Sequence, residues 1–258
     1  MNRILQSSLL RIYALIARSG ILSTSWGRST FNTAYGIYKS IGEAPHVRGL
    51  RALVVPDEIV IDIGANIGFY TKQLARWVSG NGGYVIAVEP EPANLSQLAR
   101  CIERAGIRSV VRVISGVASD RSGKARLAIN PQHPGDHKIA DNGMEVDAYT
   151  IDELTDRDRN GRICLIKIDV QGAEERVLKG ADATIARDHP AIFIELDNDA
   201  LMRMGSNVER VMDWLTQRGY APFVQRGGVH PVPITSAEVI SLSSNGKYAD
   251  VLFLQKAP

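Results

Sequence analysis

At 258 residues, with 45% hydrophobic and 22% charged side chains, the chain is long enough for one large α/β domain with an accessory segment, and disorder does not dominate it. A formal net charge of +2 is too small to argue for nucleic acid, which leaves local clustering as the electrostatic signal. No apolar run approaches the roughly 18 uninterrupted residues of a spanning helix, so no transmembrane segment is expected.

The charge clusters at the N-terminus, where Arg3, Arg11, Arg18, Arg28, Lys39, Arg48 and Arg51 face a single acid, Glu43. In "ILQSSLLRIYALIARSGIL", Leu5, Leu9, Ile12, Leu15 and Ile16 fall along one helical stripe, and Arg11 interrupts what would otherwise be a signal-peptide core. The expectation is a helix packed on the domain or on a partner, such as a second copy in a homodimer. A peripheral membrane contact through residues 1–25 is the alternative, since the cationic side suits anionic lipid. The chain divides accordingly into a basic helical extension, residues 1–50, and one domain, residues 51–258.

From residue 58 onward short β-rich runs alternate with helical patterns. Strands are predicted at 58–63, 84–89, 110–115, 163–169, 191–196, 221–224 and 250–255, with helices at 69–79 and 92–105 between the first of them. The second helix opens on Pro92 and closes near Gly106. Strand then helix, repeated, implies a mostly parallel sheet with helices on both faces, a Rossmann-like α/β fold. Residues 116–162 break the rhythm: "KARLAI" and "MEVDAYTI" flank the polar loop "NPQHPGDHKIADNG" and read as a hairpin insertion. After 214–218 the last residues show little helix signal and end in an interior strand, "ADVLFLQK". Cys101 and Cys164, in a helix and in a buried strand, read as reduced core thiols and fit a cytoplasmic protein, at the inner face of the membrane if the N-terminal helix lies on lipid.

Ligands of open α/β sheets bind beyond the carboxyl ends of the strands. Four strands end in an acid: Asp62 in "VIDIGANIGFYT", Glu89 in "VIAVEPEP", Asp169 in "LIKIDVQGAE" and Glu195 in "IFIELD". In the first, the strand turns through Gly64 and Gly68 straight into a helix. The turn has Asn66 where a dinucleotide fingerprint, G-x-G-x-x-G, has its middle glycine, and the chain has no triphosphate loop. Glu89 is placed to accept two hydrogen bonds from a ribose diol, or else to cap the helix that begins near Pro92. A cofactor with a ribose but no pyrophosphate fits this pattern, and S-adenosylmethionine is one.

The blocks "VIDIGANIGFYT", "IAVEPEPANLSQL", "LIKIDVQGAEERVLKGA" and "PAIFIEL", in that order, resemble the FkbM-type family of S-adenosylmethionine-dependent methyltransferases. The resemblance covers residues 58–196, and "KIDVQGAE" is its most specific block. It implies a seven-stranded sheet whose last strand runs antiparallel, and methyl transfer to a hydroxyl of a sugar or of a polyketide-like product. It places Asp62, Gly64, Asn66 and Gly68 around the methionine part of the cofactor, with Ala65, Tyr70 and Thr71 in the same turn, and Glu89 with Pro90 at the ribose. "ISGVASD" falls where such folds flank adenine, which makes Val117, Ala118 and Asp120 the candidates there.

Lys167 and Asp169, two apart on one strand, point to the same side. Asp169 reads as the residue that orients or deprotonates an acceptor hydroxyl, Lys167 as the group setting its charge state, and Glu195 as their partner and substrate-positioning residue. The competing reading is a buried ion pair tying two strands together. Glu174 either lines the same cleft or caps its helix. His133 and His137 in "HPGDH" are loop residues, because Pro134 and Gly135 break the helix a metal pair would need, and no metal site is expected. Three readings stay open at this point: a methyltransferase acting on a glycan or small-molecule hydroxyl, a nicotinamide-dependent oxidoreductase, and a cofactor-binding scaffold without turnover.

Overall fold

The computed structural model describes residues 47–80, 82–129, 138–139, 142–156, 161–226 and 230–256. The stripe of residues 5–16 and both histidines, His133 and His137, lie outside them. An eight-stranded sheet organises the domain. Its parallel half comprises β1 (Ile59–Ile63), β2 (Tyr84–Glu89), β3 (Val111–Ser115), β8 (Ile163–Ile168) and β9 (Ala191–Leu196). The remaining strands are β10 (Tyr220–Arg226), β11 (His230–Pro233) and β12 (Ala249–Gln255), and the spatial order is β11-β10-β12-β9-β8-β1-β2-β3. All seven predicted strands are present and β12 runs antiparallel to β9, as the resemblance implied. The count differs by one: β11 folds back on β10 as an antiparallel edge strand. Pro231 and Pro233 hid it, because proline demotes a run from strand to edge strand.

Every residue of β1 and β8 is buried, as expected for parallel strands covered on both faces. Alternation divides them between two cores. Ile59, Ile61 and Ile63 join Ile166 and Ile168 on one face, while Val60 and Leu165 meet Leu74, Val78 and Leu98 on the other. Helices α1 (Phe69–Val78) and α2 (Pro92–Ala105) cover that second face. Val47 and Leu50, in the helical turn before residue 51, are buried in the same core.

The insertion forms its own four-stranded sheet, in the order β4-β7-β5-β6, from β4 (Val117–Ala118), β5 (Gly123–Ala128), β6 (Lys138–Ile139) and β7 (Met144–Tyr149). The predicted hairpin is the antiparallel β5–β7 pair. Short helices α3 (Ile151–Asp156), α4 (Glu174–Lys179), α5 (Asp182–Asp188) and α6 (Asn198–Arg203) precede the amphipathic α7 (Val208–Gln217). The sequence reading missed α8 (Ser236–Leu242), which buries only Val239 but opens on a Thr235–Glu238 capping box. Among the described residues, no helix is long and apolar enough to cross a membrane.

Candidate active site

Register gathers the strand-end residues. Asp62 on β1 stands opposite Lys167 on β8, which stands opposite Phe193 on β9, so all three form one row on the face covered by α1. Two residues further along the strands come Asp169 and Glu195, and Glu195 stands opposite Asp250 on β12. Because β12 is antiparallel, its start lies at the carboxyl edge of the parallel strands. Tyr70, Lys167, Asp169, Glu195, Tyr248 and Asp250 thus line one cleft, with Phe193 beneath them.

Three turns frame the cleft and are stitched together by backbone. The amides of Gly64 and Ala65 both donate to the Val88 carbonyl at 3.0 Å, the Asp169 amide donates to Ile63 at 3.1 Å, and the Gly116 amide donates to Glu89 at 3.1 Å. The turns after β1 and β8 run so close that a Cβ built on Gly64, whose φ is +75°, would lie 1.9 Å from the Asp169 carbonyl oxygen. A Cβ on Gly68 would meet Leu98 and Cys101 of α2, so that glycine admits helix–helix packing.

Asp62 and Thr71 expose no surface. Thr71 Oγ1 donates to Asp62 Oδ2 at 2.6 Å and ties the first turn of α1 to β1. Asp62 Oδ1 lies 3.4 Å from the Lys167 ammonium, an ion pair without hydrogen-bond alignment. Thr71 thus braces the glycine turn against β1, and Asp62 holds Lys167. Lys167 is itself 4% exposed, lies 3.6 Å from Asp169 Oδ2, donates to the Gly64 carbonyl at 3.4 Å and sits 4.9 Å over the Tyr70 ring. Glu195 meets Asp169 through Gln171, whose amide donates to Asp169 Oδ1 at 3.2 Å and to Glu195 Oε1 at 3.0 Å. Gln171 holds a left-handed backbone, φ +56°.

Glu89 is 4% exposed and joins two turns. Its Oε2 accepts from the Asn66 amide at 2.8 Å, and its Oε1 accepts from the Glu91 amide at 3.0 Å and from Asn94 Nδ2 at 3.2 Å. With two acceptor sites per oxygen, this leaves one site on Oε2. The helix-capping acid is its neighbour, Glu91, which accepts from the Asn94 amide. Burial pushes the Glu89 carboxyl above its ordinary value, against the lowering effect of these donors. Asn66, with φ +50°, takes the Ile67 amide on its own side chain at 2.8 Å, so its side-chain carbonyl is engaged within the turn.

Val117 and Ala118 are buried, Val117 within the insertion sheet's core and Ala118 within the main one, while Asp120 is exposed. Pro90 is half-buried between Glu89 and the α2 cap. Glu174 is 2% exposed and does not line the cleft; it braces the turn before α4 by accepting the Gly172 amide at 3.0 Å. Burial raises its carboxyl to about 7. Both cysteines are free, with Cys164 buried in β8. Among the described residues, no three or more His, Cys, Asp or Glu side chains converge as a group that could hold a metal ion.

The sequence reading did not find Tyr248, Asp250 or the bridging role of Gln171. The first two carried a usable signal: an antiparallel last strand brings its beginning, "KYAD", to the edge where the parallel strands end.

The methyltransferase FkbM domain model matches residues 62–222. Methyltransferase 1 of Beauveria bassiana (strain ARSEF 2860) is 29% identical over 150 residues, covering 49% of this chain and 59% of that protein. Hexuronic acid methyltransferase AglP of Haloferax volcanii is 29% identical over 141 residues, covering 54% and 56%. The chain thus spans somewhat more than half the length of these curated relatives. The crystal structure of methyltransferase FkbM from Methylobacillus flagellatus KT shares the fold, with a TM-score of 0.51 and 18% identity over 77% of this chain and 43% of that one.

Proposed function

Because the chain belongs to the methyltransferase FkbM domain family, we propose that it transfers a methyl group from S-adenosylmethionine to a hydroxyl oxygen of a sugar in a glycolipid, oligosaccharide or related product. The observation that carries this reading is the placement of Glu89, Lys167, Asp169 and Glu195 at the carboxyl ends of the parallel strands β2, β8 and β9, which flank β1 and its turn, whose glycine has no room for a side chain. The donor set fits the cofactor. The Glu89 Oε2 site can take a ribose hydroxyl, and Val117 and Ala118 offer backbone beside Glu89 for the adenine. Bound there, S-adenosylmethionine supplies a methyl group on a sulfonium sulfur. The name of the Haloferax relative supports a sugar acceptor.

The side chains of the cleft then have distinct tasks. Asp169 is the more exposed member of its ion pair, 18% against 4% for Lys167, and receives the acceptor's hydroxyl proton as the oxygen attacks. Lys167, fixed by Asp62, keeps a positive charge beside that carboxylate. Gln171 holds Asp169 and Glu195 at a set separation, so an acceptor held by Glu195 is already oriented toward the base. Tyr70 and Phe193, with ring centroids 6.2 Å apart, wall the cleft with apolar surface that excludes water.

Calorimetry with S-adenosylhomocysteine and transfer of a labelled methyl group to fractionated glycans test the reading together. Asp169→Asn should lower turnover by about 10²–10⁴-fold while leaving the Kd for S-adenosylhomocysteine within a few-fold. Equal losses in both would make Asp169 a structural residue, and no binding by the folded protein would overturn the function.

A further inference from the structure

A net charge of +2 conceals an asymmetry between the two faces of the main sheet. Helix α1 carries no acid, and its outward stripe is Phe69, Lys72 and Arg76. Helix α2 adds Arg100 and Arg104, both exposed. The two helices meet where the Cys101 thiol approaches the Gly68 carbonyl at 3.7 Å, and Lys72, Arg76 and Arg104 all act on that thiol, opposing the rise that burial gives its pKa. Those three cations therefore gather around one point. Arg51 extends the group, its guanidinium 5.8 Å from the centroid of the half-buried Trp77 ring on α1. Among the described residues, none of these cations makes an ion pair. The one exposed acid of the two helices, Glu103, follows Cys101 by two residues and so turns to the far side of α2.

The opposite face is acidic. Helices α3, α5 and α7, packed on the other core, expose Glu153, Asp156, Asp182, Glu209 and Asp213, and their exposed cations, Arg187 and Arg210, are held by Asp188 and Glu175. A group of cations without local partners repels itself, and an external polyanion relieves that repulsion. Chain continuity selects the polyanion. The segment before residue 47 holds Arg3, Arg11, Arg18, Arg28 and Lys39 against Glu43, with the apolar stripe of Leu5, Leu9, Ile12, Leu15 and Ile16. It enters the described domain at Val47 and Leu50, in the core beneath α1 and α2. Cations joined to a one-sided apolar stripe match an anionic lipid surface, which takes the charges at its headgroups and the apolar side chains at the acyl boundary. A nucleic acid would leave that stripe unburied.

We infer that the α1–α2 face, together with the N-terminal segment, binds the surface of a bilayer containing anionic phospholipid. Tyr70, in the first turn of α1, lines the cleft, and the cations follow toward the other end of that helix, so contact there leaves the cleft uncovered. The inference stands on charge and exposure and does not depend on the methyl-transfer reading.

The test is flotation of the full chain with vesicles of phosphatidylcholine alone and of phosphatidylcholine with about one-third phosphatidylglycerol. The chain should bind the mixed vesicles and not the neutral ones, and binding should fall by about tenfold or more when salt is raised from about 0.1 M to about 0.5 M. Arg76→Glu/Arg104→Glu should weaken binding to the mixed vesicles by about tenfold or more. Arg121→Glu/Arg203→Glu makes the same change in net charge at exposed positions on other elements and should weaken it by no more than about threefold. Arg76→Gln/Arg104→Gln should fall between the first pair and the parent, and it replaces that pair if the charge reversal prevents folding. Equal binding to both kinds of vesicle, or binding to neither, overturns the inference. So does equal loss in the two charge-reversal pairs, or a folded Arg76/Arg104 variant that binds as the parent does. Binding to an oligonucleotide without binding to the mixed vesicles overturns it in favour of nucleic acid. Calorimetry with S-adenosylhomocysteine on the same samples decides the methyltransferase reading separately.

Discussion

Glu174 shows how one side chain of the most specific sequence block can serve the site without touching it. Its Oε1 accepts the Gly172 amide, its Oε2 is buried without a hydrogen bond, and the nearby Asp169 carboxylate adds repulsion to the cost of burial. Together these raise the carboxyl from an ordinary 4.5 to about 7. The folded state then holds a proton that the unfolded chain has released, so stability is highest at acid pH and falls as pH rises from 4.5 to about 7. The span corresponds to roughly 3 kcal/mol. Glu174→Gln keeps the carbonyl that receives Gly172 and does not titrate. Urea unfolding should find the variant and the parent about equally stable near pH 4.5 and the variant more stable by about 3 kcal/mol near pH 8. A difference that stays constant with pH would show that folding does not shift the Glu174 carboxyl. Lys167 belongs to the same scale: buried between Asp62 and Asp169, it cannot be removed without leaving the charge of the fully buried Asp62 without its ion pair, so its loss reports on the fold before it reports on chemistry.

Among the elements, the three turns at the carboxyl ends of β1, β2 and β8 behave as one unit, because each is hydrogen-bonded to a neighbouring strand end and the first presses on the third. Gly64→Ala must pay for a left-handed alanine and for a Cβ 1.9 Å from the Asp169 carbonyl, together about 2–4 kcal/mol. Gly106→Ala makes a direct control: Gly106 also has positive φ, +65°, but nothing lies within 4 Å of the added methyl, so it should cost only about 1 kcal/mol. Equal destabilisation of the two variants in urea would show that the close approach at Gly64 imposes no constraint. Much of this unit was legible in the sequence. Apolar runs ending in Asp62, Glu89 and Asp169, the last broken only by Lys167, located the strands and the acids at their tips. What the acids bind was not legible, because partnership depends on register: Lys167 meets Asp62 across β1 and β8, while Glu195 reaches Asp169 only through Gln171. Asp250 lies in, and Tyr248 just before, a strand that follows β9 by more than 50 residues, and only its antiparallel direction brings them to the cleft. The edge strand β11 and helix α8 escaped notice for local reasons, alternate prolines in one and a single fully buried residue in the other.

Over the whole molecule, rigidity and openness are distributed unevenly, and that distribution predicts how a ligand will be felt. The central strands β1, β8 and β9 are buried with a core on both sides, so their amides should open only with global unfolding. The turns beyond them are part-exposed at Gly64, Asn66, Asp169 and Gln171 and should open locally. The insertion sheet has a small core of its own, centred on Val117, Leu127, Val146 and Ala148, and the β10–β11 hairpin forms the sheet edge. A ligand that bridges the Glu89 turn, the glycine turn and the Asp169 turn stabilises the fold by closing those local openings. At about 100 times its Kd, S-adenosylhomocysteine should add about 2.7 kcal/mol and raise Tm by roughly 5–10 °C. Hydrogen exchange should slow at residues 64–68, at Gly116 and at residues 169–172, with β5, β7 and the β10–β11 hairpin unchanged. Reduced nicotinamide dinucleotide, whose pyrophosphate would have to pass Asn66 where its binding turns carry glycine, should produce neither effect. Slowed exchange confined to the β10–β11 edge would place the nucleoside elsewhere on the molecule and separate the strand-end acids from cofactor binding.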